Sequence, residues 1–168
     1  MPVPWAADMM TPLRIFLPII LGVCLFAFSA LAVEVAVGDA VAPISGEDQH
    51  GKQLAFTNGV RFLLVVAERA CATAANVKLT EQGAGYLEKH SAIYLMDIHT
   101  MPAVGRFFAL PAMRKYPYRI LLIKDADTLK PFPVQPGHVT VMALTPEGRI
   151  KKISYWDPSQ KPVAEYLE

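Results

Sequence analysis

V-R-F-L-L-V-V-A-E-R-A-C-A-T-A-A, residues 60 to 75, is the stretch whose reading decides the fold. Its run Phe62-Leu63-Leu64-Val65-Val66 is apolar at every position. That pattern predicts a strand covered on both faces, at the centre of a sheet, rather than an alternating edge strand. After Ala67-Glu68-Arg69-Ala70 comes Cys71, then Ala72 to Leu79, a stretch rich in good helix formers. A cysteine between a buried strand and a helix N-terminus lies beside free N–H groups and a partial positive charge, which favour a thiolate. Cys71 is therefore the candidate catalytic residue. The residue three positions further along is Ala74, so there is no C-x-x-C, and one thiol cannot cycle by itself between dithiol and disulfide.

Working outward, the helix that begins at Ala72 is expected to reach Lys89, with Gly83-Ala84-Gly85 as a break or an end. Ser91 to Ile98 reads as a second strand, Ala103 to Lys115 as a helix interrupted by Pro111, and Tyr118 to Ile123 as a third strand. In that helix Val104, Phe107, Phe108, Pro111 and Ala112 share a face, which predicts a core-facing stripe with Arg106, Arg114 and Lys115 solvated. The same aromatic and arginine content makes this segment the place to look for a partner interface. Alternation of strand and helix implies parallel, right-handed crossovers and an α/β class. Val139 to Leu144 and Arg149 to Trp156, joined by Thr145-Pro146-Glu147-Gly148, predict a closing antiparallel hairpin whose last strand is an edge. The link Pro131 to Pro136 is expected on the surface, and Pro162 to Leu167 as a short final helix.

The chain has 168 residues, with 16 Lys and Arg against 15 Asp and Glu. This is one domain's worth of chain without the basic excess that nucleic-acid binding requires, so no nucleic-acid partner is expected. Hydrophobic residues make up 53% and are concentrated at the N-terminus. Ile15 to Val33 carries no charge, and Ala30-Leu31-Ala32 has the small-x-small pattern of a signal-peptidase site. Residues 1–32 are expected to be a signal peptide and residues 33–168 the exported, periplasmic domain. The alternative is an uncleaved inner-membrane anchor, since a run of this length just spans a bilayer; a membrane is a partner only in that case. Cleavage would remove Cys24 and leave Cys71 without an internal partner. A lone thiol in an oxidising compartment is either buried and inert or exposed to a partner.

Gly38-Asp39-Ala40-Val41-Ala42-Pro43, then Asp48-Gln49-His50-Gly51-Lys52, then a buried strand and a cysteine region, resembles the thioredoxin-like redoxins. These include TlpA-type thioredoxins, peroxiredoxins and SCO-type copper-delivery proteins. The resemblance implies a thioredoxin-like fold: a central mixed sheet, helices on both faces and a C-terminal antiparallel hairpin. Asp97-Ile98-His99-Thr100-Met101-Pro102 and the segment Phe107 to Arg119 are similar to a group of small exported proteobacterial proteins of this fold, often labelled "FAD/FMN-containing dehydrogenase". No G-x-G-x-x-G follows a strand here, so no flavin site is recognisable and no cofactor is expected.

Three functions follow from the resemblance. The first is a non-catalytic binding or accessory module of the cell envelope with a protein partner, favoured by the missing second cysteine. The second is a single-cysteine thiol oxidoreductase or peroxidase using Cys71, with Arg69 placed to stabilise a thiolate. Against it, Ala67-Glu68-Arg69-Ala70 supplies neither the Thr nor the Pro of a peroxiredoxin-like site. The third is weak SCO-like copper binding through Cys71 and His138, which supplies only half a site. His50, His90 and His99 are weaker candidates, although Asp97 and His99 fall on one side of their strand and can pair.

Overall fold

A computed structural model describes residues 34–56 and 59–168. The expected signal segment lies outside the described residues. Ala32–Glu168 forms a compact unit of its own. No helix among the described residues is long and apolar enough to cross a membrane.

The unit opens with two short antiparallel strands, β1 (Ser45–Glu47) and β2 (Gln53–Ala55). The Asp48-Gln49-His50-Gly51-Lys52 motif makes the turn between them. Asp48 Oδ1 accepts the N–H groups of His50 and Lys52, each at 2.9 Å, and Gly51 takes φ 76°, where a side chain is disfavoured. The buried Asp48 carboxylate also accepts Arg119 Nε at 2.7 Å. Beside it the buried Gln49 amide donates to Tyr118 O at 2.6 Å and accepts Ile120 N–H at 2.9 Å. This motif thus fastens the small hairpin to the third strand of the main sheet.

The main fold follows from β3 (Phe62–Val66), buried at all five positions as its composition demands. After it come α1 (Arg69–Gln82), the single turn α2 (Tyr86–Lys89), β4 (Ala92–Asp97), α3 (Ala103–Met113) and β5 (Ile120–Ile123). The remainder is a further turn, α4 (Ala126–Leu129), the hairpin β6 (Val139–Leu144) and β7 (Ile150–Trp156), and a closing 3-10 turn, Val163–Tyr166. The sheet order is β5-β4-β3-β6-β7, with β3, β4 and β5 parallel and β6 and β7 antiparallel to their neighbours. β3 is central and β7 is an edge, as the sequence predicts.

Two crossovers step in the same direction from β3 to β4 to β5, so handedness puts both long helices on one face. There Cys71, Ala75 and Leu79 of α1 and Met113 of α3 pack with Leu64, Tyr94, Met96 and Trp156. The return from β5 to β6 carries α4 to the other face, where Leu129 and Phe132 meet Leu63, Leu95 and Met142 under the N-terminal segment. Helices therefore lie on both faces of a mixed sheet that ends in an antiparallel hairpin.

Four expectations need correction. The first helix ends at Gln82, because Gly83 and Gly85 take φ 83° and 77° and turn the chain before α2 begins. The Pro131 to Pro136 link is only partly on the surface, since Phe132 and Pro133 are buried in the second core. The final helix is a single 3-10 turn.

The fourth correction is α3, which is the reverse of the expected helix. Val104, Phe107 and Phe108 are 70%, 74% and 70% exposed, and Pro111 is exposed beside them. The inner side is Gly105, Ala109 and Met113, spaced four apart. A methyl group added at Gly105 would come within 3.2 Å of Met101 Cγ, in the turn that leads into the helix.

Candidate functional site

Cys71 is the third residue of α1 and lies on its inward stripe with Ala72, Ala75 and Leu79. Only 4% of it is exposed. Burial pushes its thiol up to about 11, and the negative charges of Glu68 and Asp157 push the same way. The helix N-terminus does not prevail, because its partial charge acts on a thiolate that would have lost all its hydration. Arg69 is exposed at the first position of the helix and is not among the groups that set the thiol.

Glu68, which forward reading from the cysteine passes over, occupies the cap of α1 three residues upstream of Cys71. In a C-x-x-C on this helix, that is where the first and more exposed thiol would sit. Here an exposed carboxylate holds the place, and its Oε2 accepts Gly137 N–H at 3.0 Å from the loop that enters β6. The signal was in the sequence as E-x-x-C.

His138 lies in that same loop. Its Nδ1–H donates to Pro136 O at 2.8 Å. Among the described residues no three His, Cys, Asp or Glu side chains come together. His90 Nδ1–H donates to Tyr86 O at 2.8 Å and closes the end of α2. His99 and Asp97 do pair: Nδ1 lies 2.7 and 2.9 Å from the two carboxylate oxygens, which only accept, so Nδ1 carries the proton. Asp97 also accepts His99 N–H at 2.8 Å.

Beyond the C-terminal ends of β3 and β4, between the first turns of α1 and the inner side of α3, lies an open cleft of about 720 Å³. Its apolar surface includes Met96, Met101, Met113 and Phe108, and its polar edge carries Glu68, Arg69, Thr73 and Asp97. Both carboxylates are engaged, Glu68 by Gly137 and Asp97 by His99. The Arg69 guanidinium makes no hydrogen bond or ion pair among the described residues. Volume, apolar lining and a few polar groups at the edge are those of a ligand or peptide site. Cys71 is not on its wall. The sequence hid this cleft, because methionines at 96, 101 and 113 share no period and come from a strand, a loop and a helix.

One group beneath this region stands apart. The fully buried Tyr94 hydroxyl has no hydrogen-bond partner, whereas Tyr118 O–H donates to Asn76 Oδ1 at 3.0 Å.

The chain has the thioredoxin-like fold. The thioredoxin domain of a thiol-disulfide oxidoreductase from Bacteroides vulgatus superposes with a TM-score of 0.52 at 17% identity, covering 80% of this chain and all of that one. A peroxiredoxin-like protein from Aquifex aeolicus gives 0.55 at 12% identity, over 82% and 86% of the two chains. StoA from Bacillus subtilis gives 0.54 at 13% identity, over 76% and 98%. No family model matches the sequence, and no curated protein matches it. The likeness is therefore one of fold, to redoxins and thiol-disulfide oxidoreductases, in a chain whose described residues hold one cysteine, buried and unpaired.

Proposed function

We propose that this is a non-catalytic thioredoxin-fold module of the cell envelope, which binds a protein partner in the cleft between α1 and α3. The observation that carries the reading is Cys71 itself. It is buried, held protonated at neutral pH and absent from the cleft wall, with Glu68 where a C-x-x-C would place its attacking thiol. A thiol oxidoreductase needs an accessible thiolate, and a fold alone does not supply one. Export is supported by the uncharged run and small-x-small site at Ile15 to Val33.

The test is photo-crosslinking in the envelope of living cells. A photoreactive residue at Thr73, on the cleft edge, is expected to give discrete protein adducts that Ala112→Trp, which fills the cleft, abolishes. The same residue at Lys52, on the small hairpin, is expected to give none. Adducts equal at the two positions, or adducts at Thr73 indifferent to Ala112→Trp, would overturn the cleft as the binding site. Thiol-dependent reduction of insulin or of peroxide, lost in Cys71→Ser, would overturn the non-catalytic reading.

A further inference from the structure

We propose that the outer face of α3 seats on the surface of an anionic lipid bilayer. The proposal goes beyond the cleft reading, because Val104, Phe107 and Pro111 lie outside the cleft and Phe108 stands on the ridge between the two surfaces. Val104, Phe107, Phe108 and Pro111 stand at the i, i+3, i+4 and i+7 positions that form one side of a helix, and that side faces solvent. The two phenylalanines pack edge to face with centroids 5.3 Å apart, forming one aromatic ridge. Soluble helices turn such a stripe inward; an apolar face turned outward is the arrangement of a helix that lies in a membrane interface.

Charge identifies the occupant. Exposed Arg114 and Lys115 follow the stripe directly, at the cap of α3 and one residue beyond it, and no Asp or Glu occurs between Asp97 and Asp125. Arg114 Nε donates to Gln49 O, which leaves its charge unneutralised, and Lys115 has no acidic partner among the described residues. Apolar and aromatic side chains beside uncompensated cations match a surface of acyl chains and anionic headgroups.

A second copy of the chain fits less well, for it would bring a second set of cations and no acid to meet them. The area is also too small: α3 is about 16 Å long at 1.5 Å per residue, and a face about 10 Å wide offers roughly 160 Å², well short of the roughly 800 Å² per partner of a stable pair. The chain's uncharged run Ile15 to Val33 delivers it to a bilayer whether that run is cleaved or kept.

The test uses residues 32–168, which form a compact unit containing both cores. Sedimentation is measured with phosphatidylcholine vesicles, with and without phosphatidylglycerol. The protein is expected to sediment with the anionic vesicles and to be released by salt. Val104→Ser with Phe107→Ser, neither of which lines the cleft, is expected to weaken binding at least ~tenfold, from the apolar surface no longer buried. Lys115→Glu, which removes one attraction and adds one repulsion, is expected to weaken it roughly 25-fold. These side chains are exposed, so the variants fold, as circular dichroism would show. Failure to sediment with anionic vesicles, equal binding to both compositions, or a double-serine variant that binds like the wild type would overturn the proposal. So would a dimer in analytical ultracentrifugation that the serine substitutions dissolve, because α3 would then cover a second copy.

Discussion

Titrating Cys71 in the folded protein separates a core thiol from a reactive one. With its thiol at about 11, the thiolate fraction at pH 8 is roughly one in a thousand, against about a quarter for a free thiol of pKa 8.5. Ionisation alone therefore slows alkylation by about 200-fold, and burial of the sulfur slows it further. The assay is iodoacetamide labelling followed by mass spectrometry between pH 7 and 10, in buffer and in denaturant. In the folded state the rate is expected to rise about tenfold per pH unit without a plateau, and in denaturant to level off near pH 8.5. The raised thiol also links to stability: between about pH 9 and 11 the unfolded chain has lost this proton and the native chain has kept it, so stability falls as pH rises through that window. The stability lost across it is at most about 3 kcal/mol. The buried hydroxyls of Tyr94 and Tyr118 are also raised and act in the same direction at higher pH, so the comparison is with Cys71→Ser, whose alkaline slope should be shallower. Fast labelling of native protein with a plateau at or below pH 8.5 would refute the reasoning.

Glu68→Cys places a thiol at the cap of α1 three residues before Cys71, within the roughly 4.4–6.8 Å of Cα separation that a disulfide spans; a C68–C71 disulfide, seen as a loss of two hydrogens by mass spectrometry, is expected on mild oxidation. Burial raises the Asp48 carboxyl, but hydrogen bonds from Lys52 N–H, Arg119 and His50 N–H outweigh it and leave it below the ordinary carboxylate range. Its stabilisation is therefore present above about pH 4 and lost as pH falls further. Asp48→Ala, which strips the buried carboxylate from Arg119 and from the turn, is expected to destabilise by about 3 kcal/mol in urea melts at pH 7, with a shallower acid limb than the wild type. Tyr94→Phe removes a buried hydroxyl that has no partner, and is expected to raise stability by about 1 kcal/mol; a lower melting temperature would show that the hydroxyl has a partner in solution.

Strand order was legible in the sequence where burial leaves a one-dimensional trace. Phe62 to Val66 is apolar throughout because it is covered twice, and Arg149 to Trp156 mixes charged with apolar residues because β7 is an edge, with a bulge at Lys151 breaking the alternation. The Asp48 to Lys52 motif was visible as a turn, but its tie to Arg119, Tyr118 and Ile120 spans about seventy residues and left no local mark. α3 misled for a related reason. Periodicity reports that an apolar face exists, not which way it points, and here the side that packs is the small one, Gly105 and Ala109, which carries little hydrophobic signal. The cleft was invisible because its lining converges from α1, β4, α3 and the loop between β4 and α3.

Cys71 shows how burial can outweigh a favourable position. A helix N-terminus stabilises a thiolate by an amount of order one kcal/mol when the sulfur can also reach water. Withdrawing the sulfur into a core of Leu64, Tyr94 and Val141 removes the larger hydration term, and the outcome is then set by which way the residue faces on its helix. At the third position of α1 it faces the sheet, while the first exposed position, three residues earlier, carries Glu68. The helix whose cap is held by Glu68 thus carries its one thiol on the inward stripe, packed against the sheet. With the thiol inside, the cleft at this end of the sheet is lined by thioethers, alanines and the rings of Phe108 and Tyr116, and it is on this surface that the proposed partner reading rests.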